Sequence, residues 1–388
     1  MKRICFLVDS IFSIGGVQRV TAVIAKSLAT DFDVTIMTFD RPETEDTTLY
    51  GLNEANISYR FVAYPQVGKA KNFCCKAYSG LYRKLRLPGQ WASDLYARSS
   101  FPSERRNALL QALQEGHFDT IVGVHAPLAT RLATMKSQLK GTRCIGWIHN
   151  SFEALFGPTS LYIGPDRRRH YIYQFCKLDA TVLLCRHDAE TYARYSSRFK
   201  PTVIYNPLTL TPGKPSDGTS KRFLAVGRFS KKHKGFDLLI DAFYLFAKEN
   251  KEWKLDIVGE GQEEPLYREK IAKYHLEDRI ELHPYTNHIQ DYYSKAQVYV
   301  LSSRWEGFGL VIIEAMAHGL PIVSSDLPTS LELLGKQGLF FRNGNVSDLA
   351  RQLHAATKLD WPKMSAEALK HSEHFRLSII SQQWKAIL

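Results

Sequence analysis

Two glutamates eight positions apart are the residues of this chain whose placement suggests chemistry. Glu306 and Glu314 lie in the segment 302–325, SSRWEGFGLVIIEAMAHGLPIVSS, on either side of a Gly-Phe-Gly. The glycines interrupt any helix before it could include Glu306, so a helix that begins near Leu310 contains only Glu314. Both carboxylates can accept hydrogen bonds from sugar or ribose hydroxyls. A favourable helix dipole is the alternative explanation for Glu314, but it does not account for Glu306.

A basic loop elsewhere in the chain supplies the opposite charge. The predicted strand 222–226 runs into Gly227 and Arg228, and Lys234 follows six residues after the arginine, just before a predicted helix at 236–249. Backbone amides at a helix start, with cationic side chains beside them, bind dianions such as pyrophosphate. This loop is therefore a candidate phosphate site, although a plain basic surface loop has the same composition.

Glycines follow two further predicted strands, which indicates that the backbone there turns tightly or lies close to a ligand or another segment. Gly259 and Gly261 follow the predicted strand 254–258 as a Gly-Glu-Gly, which on its own often marks only a tight turn. The amides of residues 307–310 precede or open the helix that contains Glu314. Because such amides have no partner within the helix, they would face a ligand as an anion-binding helix start.

Short apolar runs alternate with helical patterns over most of the chain, which predicts parallel α/β sheets. Ten strands are predicted, at residues 4–8, 34–39, 119–124, 143–148, 180–185, 222–226, 254–258, 280–282, 298–301 and 321–324. The segment 209–220, rich in Pro, Gly, Ser and Thr, is interpreted as an interdomain linker. A chain of 388 residues also exceeds what one core usually serves. We therefore expect two doubly wound domains, with ligands beyond the carboxyl ends of their strands.

Charge is concentrated in one segment. The formal net charge is +12, and residues 67–106 contain nine basic residues against Asp94 and Glu104. Aromatic and leucine side chains are interleaved with the cations, a mixture expected where a surface segment rests on anionic lipid headgroups. A solvated helical face with a few core contacts is the alternative.

Other features argue against several classes of protein. No stretch reaches the roughly 18 apolar residues of a membrane-spanning helix, which predicts a soluble or peripheral protein. The six cysteines show no CxxC pair, so free thiols in a reducing cytosol are expected. Asp31-Phe32-Asp33 has the DxD form of some metal-binding motifs, but it precedes a strand instead of following one. We therefore predict a surface turn there and no metal site.

Together these motifs resemble those of the GT4-type retaining glycosyltransferases, which have the GT-B fold. Five motifs carry the resemblance: IGGVQR at 14–19, WIHN at 147–150, Gly227-Arg228 with Lys234, Gly-Glu-Gly at 259–261, and EGFGLVIIEAMAHGLPIVSSD at 306–326. The spacing of Glu306 and Glu314 within its apolar context is the most specific part. The resemblance spans nearly the whole chain.

The resemblance implies a GT-B architecture of two Rossmann-like, doubly wound α/β domains facing a cleft. Residues 1–207 would form the N-terminal, acceptor-binding domain, and residues 208–370 the C-terminal domain that binds the nucleotide sugar. Residues 371–388 would form a C-terminal helix that packs back on the N-terminal domain.

On the donor side, the resemblance implies that Arg228 and Lys234 hold the diphosphate and stabilise the leaving charge. Glu306 would bind hydroxyls of the donor sugar, and Glu314 those of the ribose. The other implied donor-binding residues are Gly16, Gly227, Gly259, Gly261, Tyr285, Gly307, Phe308, Gly309 and Leu310. Of these, Phe308, Gly309 and Leu310 would contribute their amides to the diphosphate site.

In the first domain, the resemblance implies that Gly16 keeps the acceptor-side loop close to the phosphates. His149 would lie beside the donor sugar near the reacting carbon, with Arg228, Lys234 and Glu306 as the other catalytic residues. Gly15 and Asn150 would lie on the acceptor side. A hydrogen-bonded histidine at a strand end is the alternative for His149.

One position departs from the family pattern. Pro284 stands where relatives usually have a glycine, next to Tyr285, in the region that tends to contact the nucleobase. Proline donates no N–H, so base recognition by this backbone differs from that of relatives. UDP, the family's commonest leaving group, is expected ahead of GDP.

The resemblance implies a hexosyltransferase that transfers a sugar with retention from a nucleotide sugar, without a metal or other cofactor. The acceptor would be a glycan or, given segment 67–106, a lipid-linked glycan in surface polysaccharide or glycoconjugate assembly. Such an enzyme would be cytoplasmic, or peripheral on the inner face of the membrane if segment 67–106 contacts lipid. No nucleic-acid partner is expected.

Two other classes of protein compete with this interpretation. A NAD-type dinucleotide-binding oxidoreductase would use residues 4–16 as its phosphate turn, but that stretch lacks GxGxxG and no convincing acid follows at the ribose position. A non-catalytic glycan-binding or nucleic-acid-binding protein would use the basic segment, and it would tolerate substitution of Arg228, Lys234 and Glu306.

Overall fold

The computed structural model describes residues 1–160 and 162–388. Contacts between Cα atoms divide the chain into two compact units: unit 1, which is Met1–Thr209 with Leu377–Leu388, and unit 2, which is Leu210–Arg376. The chain therefore leaves unit 1 once and returns to it for its last helix.

Unit 1 contains one seven-stranded parallel sheet in the order β3-β2-β1-β4-β5-β6-β7. Its strands are β1 (Arg3–Val8), β2 (Asp33–Thr38), β3 (Ile57–Phe61), β4 (Thr120–Val124), β5 (Arg143–Trp147), β6 (Ala180–Leu183) and β7 (Pro201–Val203). Its first eight helices are α1 (Gly16–Leu28), α2 (Lys69–Leu85), α3 (Gln90–Ser100), α4 (Ser103–Glu115), α5 (Ala126–Met135), α6 (Phe152–Phe156), α7 (Arg168–Phe175) and α8 (Arg186–Tyr195).

Unit 2 contains one six-stranded parallel sheet in the order β10-β9-β8-β11-β12-β13. Its strands are β8 (Arg222–Val226), β9 (Lys254–Val258), β10 (Ile280–His283), β11 (Val298–Leu301), β12 (Ile322–Ser325) and β13 (Gly338–Phe341). Its helices are α9 (Lys231–Lys234), α10 (Phe236–Ala247), α11 (Glu264–Lys273), α12 (Ile289–Lys295), α13 (Leu310–Ala317), α14 (Pro328–Leu334), α15 (Val346–Ala356) and α16 (Trp361–Ser372).

The prediction of two doubly wound parallel sheets is confirmed. All ten predicted strands are present, each within two residues of its predicted ends. Central strands such as β4 and β11 are buried along their whole length, which is why they read as continuous apolar runs. The strands β3, β7 and β13 were not predicted. All three lie at sheet edges and are mostly half-buried. A continuous apolar run is absent from β3 and β7, whereas β13, with the sequence GLFF, has such a run and was missed despite it.

The segment predicted as a linker, 209–220, contains no helix or strand. From Leu210 onward it belongs to unit 2. The Gly213 amide donates to His318 Nε2 at 3.1 Å, and the Ser216 amide donates to the His318 carbonyl oxygen at 3.0 Å. Most of this irregular segment is therefore attached to unit 2 through a buried histidine.

Among residues 1–160 and 162–388, none of the helices has both the length and the apolar content needed to cross a bilayer. No disulfide joins any of the six cysteines, all of which lie in these ranges.

The last helix, α17 (Leu377–Lys385), packs within unit 1. Trp384 is fully buried, and its ring centre lies 4.6 Å from that of Trp147 in β5 and 6.4 Å from that of Phe6 in β1. Ser381 Oγ lies 2.6 Å from Ser27 Oγ of α1. Residues that follow unit 2 in sequence therefore complete the core of unit 1.

We predict that Trp384→Ala lowers the free energy of unfolding of unit 1 by about 3–5 kcal/mol, because it empties a fully enclosed aromatic site. Denaturant unfolding monitored by circular dichroism measures the loss. Ile379→Ala on the same helix is the control, since Ile379 is 43% exposed and its truncation should change stability by less than about 0.5 kcal/mol. Equal effects of the two substitutions would contradict the packing described for α17.

Candidate active site

The carboxyl ends of the strands in unit 2 collect most of the predicted donor-binding residues. Because β10, β9, β8 and β11 are consecutive in a parallel sheet, the loops that follow them share one edge. In chain order these loops carry Gly227, Arg228 and Lys234, then Gly259 and Gly261, then Tyr285, and finally Glu306, Gly307, Phe308 and Gly309, with Leu310 opening α13.

An ion pair between Lys234 and Glu306 joins two of these loops. Lys234 Nζ donates to Glu306 Oε1 at 2.6 Å, and Ser303 Oγ donates to the same oxygen at 2.6 Å. The side chains of the lysine and the glutamate are only 12% and 8% exposed. Burial alone would raise the pKa of the Glu306 carboxyl, but Lys234 and His233 hold that pKa well below its usual range. Glu306 is therefore a buried anion.

The loop that carries Glu306 is fixed at its preceding residues as well. The ring of Trp305 stacks on that of His233, with centres 3.7 Å apart and planes at 6°. Arg304 donates to both carboxylate oxygens of Asp237 in α10, at 3.0 and 2.9 Å. The Arg304 amide donates to the His233 carbonyl oxygen at 2.7 Å. A ring stack and a backbone bond thus hold the Glu306 loop against the loop after β8, and an ion pair holds it against the start of α10.

Gly259 and Gly261 have a structural reason to be glycine. A Cβ on Gly259 would lie 1.9 Å from the carbonyl oxygen of Gly227, and one on Gly261 would lie 2.5 Å from that of Phe229. The Phe229 amide donates to the Glu260 carbonyl oxygen at 2.7 Å. The two loops therefore pack backbone against backbone, which requires glycine whether or not either residue contacts a donor.

Arg228 and the start of α13 offer hydrogen-bond donors. Arg228 is exposed, and its guanidinium pairs with no group in residues 1–160 and 162–388. Gly309 caps α13 with φ +90°, and its amide and that of Leu310 donate to no group in the same ranges. The side chain of Phe308 is buried and lies 6.2 Å from the Phe375 ring, so it belongs to the core.

Glu314 lies deeper than Glu306. It is 2% exposed, and its Oε2 accepts a hydrogen bond from the Tyr293 hydroxyl at 3.0 Å. The Tyr293 ring stacks on that of His318 at 5.0 Å, and His318 Nδ1 lies 2.7 Å from the Glu314 carbonyl oxygen. This cluster between α12 and α13 fixes the carboxylate. Its contact with ribose stays a prediction.

Three residues of unit 2 lie close enough to share a cation, namely Asp256, Glu281 and His283. Arg222 already donates to both Asp256 oxygens, at 2.8 and 2.9 Å, and His283 Nε2 lies 3.0 Å from Asp256 Oδ1. Arg222 therefore already places positive charge against these acids. The predicted base-contacting Tyr285 lies nearby in sequence and is 47% exposed.

In unit 1, His149 and Asn150 follow β5, and His125 follows the adjacent strand β4. His149 is 7% exposed, and its Nε2 has no hydrogen-bond partner among the described residues. Its ring lies 4.3 Å from that of Trp147 and 5.4 Å from that of His125. Burial, and secondly the neighbouring His125, lower the pKa of His149 well below its usual range. His149 is thus a neutral imidazole near pH 7.

His125 was not predicted as a site residue. Burial lowers its pKa, while the charge of Asp9 and the neighbouring Asn150 side chain act in the opposite direction. Its backbone has φ +73°, which is uncommon for a non-glycine residue, and its amide donates to the Trp147 carbonyl oxygen at 2.8 Å. A histidine directly after a predicted strand was the signal that could have identified it.

The glycine loop before α1 is held by residues distant in sequence. The Gly15 amide donates to the Tyr50 hydroxyl at 2.8 Å, and that hydroxyl lies 3.0 Å from the Ser13 carbonyl oxygen, to which it donates. Asp40 accepts from two further amides of this loop. Gly16 is the first residue of α1. No motif marks Tyr50 or Asp40, so sequence reasoning had no signal for them.

The DxD sequence lies at a turn, as expected. Asp31 pairs with Lys385 at 2.6 Å, and Asp33, the first residue of β2, pairs with Arg3 at 3.4 Å. Both carboxylates are therefore engaged in ion pairs with lysine or arginine.

Family comparisons match both units. The model described as Glycosyltransferase Family 4 covers residues 14–211, just over half of the 388 residues, and that described as Glycosyl transferases group 1 covers residues 220–358. The chain belongs to glycosyltransferase family 4. The first match contains the glycine loop and His149, and the second contains Lys234 and Glu306. The resemblance inferred from the motifs is confirmed.

Relatives of this family 4 member include glycosyltransferases aligned over their whole length. An "Uncharacterized glycosyltransferase" of Haemophilus influenzae is 26% identical over 402 residues, with 100% of both chains covered. The "Amylovoran biosynthesis glycosyltransferase AmsD" of Erwinia amylovora is 25% identical over 402 residues, again with 100% of both covered.

Solved structures share the GT-B fold with this family 4 member. HepE of Anabaena, solved with UDP and glucose, superposes with a TM-score of 0.74 at 18% identity, covering 100% of this chain and 99% of its own. The apo form of the lipopolysaccharide outer core galactosyltransferase WaaB has a TM-score of 0.70 at 17% identity, covering 99% and 98%. The predicted GT-B fold is confirmed.

We predict that His149 makes stability fall as the pH is lowered. The native ring is neutral, whereas an unfolded histidine takes up a proton below its ordinary pKa of about 6.5, so unfolding gains a proton in that range. Between about pH 7.5 and 5.5 the wild type should lose about 1 kcal/mol more unfolding free energy than His149→Gln does. Urea unfolding at the two pH values measures this difference. Identical losses would show that the native ring takes up its proton over the same pH range as the unfolded one, which contradicts a buried neutral imidazole.

Proposed function

We propose that this family 4 member transfers a hexosyl group, with retention, from a nucleotide diphosphate sugar to a glycan or lipid-linked acceptor. Unit 2 binds the donor, with UDP as the nucleotide, and unit 1 binds the acceptor. The similarity to AmsD, named for amylovoran biosynthesis, supports a role in surface polysaccharide assembly. The similarity to HepE, solved with UDP and glucose, supports a UDP-sugar donor. Retention is proposed from family membership.

The single observation that carries the donor proposal is the Lys234–Glu306 pair at 2.6 Å, at the edge where the predicted donor residues collect. An ammonium has three N–H donors, and Glu306 takes one of them. The remaining two can bind phosphate oxygens, while Glu306 Oε2 can accept from a sugar hydroxyl. One ion pair thereby places a phosphate-binding group and a sugar-binding group next to each other.

Breaking the sugar–phosphate bond leaves new negative charge on the diphosphate. Cations and amides that are already in position stabilise such charge most effectively, because they need no reorganisation during the reaction. Arg228, Lys234 and the amides of Phe308, Gly309 and Leu310 fill this role in the proposal. The neutral His149 offers its unpaired Nε2 to a donor-sugar hydroxyl close to the reacting carbon. Glu314 binds the ribose hydroxyls.

Segment 67–106 is proposed to place the enzyme on an anionic membrane surface, where a lipid-linked acceptor would be found. It folds into α2 and α3. On α2, Phe73, Leu81 and Leu85 are 74%, 49% and 57% exposed. Leu81 and Leu85 are four residues apart and share one helix face, and Phe73 lies eight residues before Leu81. Together with the surrounding cations, such exposed apolar residues fit the membrane interface. Equal flotation with anionic and neutral vesicles at low salt would contradict this contact.

We predict that Arg228→Ala and Lys234→Ala each lower turnover by about 10² or more, because each removes a cation that stabilises the leaving diphosphate. Release of nucleoside diphosphate measures turnover. Lys232→Ala is the matched control, since Lys232 is an exposed lysine of the same loop with no partner among the described residues. Full activity of both variants would show that the leaving diphosphate is stabilised by other residues, whereas no turnover by the wild type with any nucleotide sugar would favour a non-catalytic binder.

We predict that UDP-sugars raise the unfolding temperature of the wild type more than GDP-sugars do, because ligand binding stabilises the native state by mass action. A thermal-shift panel of nucleotide sugars measures this and identifies the sugar. Proton NMR of the product then reports the anomeric configuration. Inversion at the anomeric carbon would refute the retaining part of the proposal, and protection by NADH alone would favour the oxidoreductase.

A further inference from the structure

A cavity lined by none of the predicted site residues lies in unit 1. Its volume is about 550 Å³, within the range of small-molecule sites. It is lined by the end of α7, the end of α8 with the residues that follow it, and the first residue of α3, Gln90. None of the residues 14–19, 147–150, 227–234 or 306–314, on which the proposed transfer reaction depends, lines it.

The walls of this cavity carry positive charge. Lys177, Arg194 and Arg198 line it, and no acidic residue does so among the described residues. Lys177 is paired with Asp94 of α3. Arg194 and Arg198 are exposed, and neither side chain pairs with a group in residues 1–160 and 162–388. Two guanidinium groups at one cavity therefore have no acidic partner among the described residues.

Polar side chains of the same cavity suit a phosphate. Guanidinium groups match phosphate oxygens with two parallel N–H donors, which ammonium groups cannot do. Ser197 and the Tyr195 hydroxyl add neutral donors to the wall. One aromatic ring there is already occupied, because the guanidinium carbon of Arg168 lies 4.6 Å from the Tyr195 ring centre and Phe152 stacks on that ring at 5.4 Å. Stacking of a nucleobase on this ring is thus disfavoured.

The cavity adjoins the apolar surface of the α2–α3 segment. Gln90 lines the cavity, and the next residue, Trp91, is 75% exposed. Leu95 lies one helical turn further along α3 and is 38% exposed. An exposed tryptophan beside a cationic cavity is the arrangement expected where a side chain enters the headgroup region and an anion is bound next to it.

We propose that this cavity binds the phosphate of an anionic phospholipid headgroup while Trp91 and Leu95 enter the membrane interface. The proposal deepens the membrane contact proposed above and rests on it. The membrane contact proposed above depends only on cationic and apolar side chains of the surface. The present proposal adds a specific headgroup site, formed by Lys177, Arg194 and Arg198.

The test compares flotation of full-length variants with phosphatidylcholine vesicles that contain, or lack, phosphatidylglycerol, at physiological salt. A basic residue at the surface contributes about 1 kcal/mol, so Arg194→Gln/Arg198→Gln should weaken binding to the anionic vesicles on the order of tenfold or more. Lys2→Gln/Arg41→Gln removes two exposed cations, unpaired among the described residues, beside β1 and β2, which lie three and four strands from β6 in the sheet, and it should change binding by less than about threefold because charges that far apart are screened.

A steric variant separates a headgroup site from a merely cationic patch. Ala193 is exposed and lines the cavity, so Ala193→Phe places a bulky side chain in it while keeping every cation. The proposal expects a loss of anionic-vesicle binding comparable to that of the double arginine variant, with turnover on a soluble acceptor unchanged. Normal binding by Ala193→Phe would overturn the headgroup site.

Two further outcomes separate this inference from the proposals on which it rests. If Trp91→Ser/Leu95→Ser abolishes binding but the arginine and Ala193 variants bind normally, the membrane contact stands and the headgroup site is wrong. If glycerol phosphate stabilises the wild type but not the arginine variant, and vesicle binding is the same in both, the cavity takes a soluble phosphate and the lipid source is wrong. Neither result depends on catalysis by Arg228 or Lys234.

Discussion

The buried pair of Lys234 and Glu306 is the contact on which the arrangement of the candidate site in unit 2 depends. Removing two charges from water costs several kcal/mol, and their attraction offsets this only when further hydrogen bonds are present. Ser303 supplies such a bond at 2.6 Å. Loss of either partner would leave an uncompensated buried charge, so the loops after β8 and β11 are constrained to one geometry. A site that must meet a diphosphate and a sugar together benefits from that rigidity.

Backbone packing reinforces the ion pair. Gly235 separates α9 from α10 with φ +65°, and a Cβ there would lie 2.2 Å from the carbonyl oxygen of Ser302. Gly259 meets the carbonyl oxygen of Gly227 in the same manner. At these two points the loops meet backbone against backbone, in addition to the side-chain contacts that join them. Because these contacts leave no free space between the loops, a displacement of one would be transmitted to the others.

Sequence reasoning reached the strands and loop residues that obey local rules, and missed those fixed by tertiary contacts. Buried central strands and strand-end glycines have local signals, which is why the loops carrying Lys234 and Glu306 could be placed at one edge. Two contacts join residues that are distant in sequence: Tyr50 contacts the glycine loop, and Tyr293 donates to Glu314. The residues next to each tyrosine contain no motif that would predict these contacts. Glu314 itself was recognisable by spacing, but its burial was not, because burial depends on how α12 covers α13.

The same dependence on distant residues extends to unit 1. Trp384, from a helix that follows unit 2 in sequence, packs against Trp147, which itself lies against the ring of His149. The core beneath His149 is therefore incomplete until α17 has packed. Since the neutral state of His149 follows from its burial, the protonation of a candidate catalytic residue is coupled to the packing of the last helix. The packing of Trp384 on Trp147 thus affects both the stability of unit 1 and the protonation of His149.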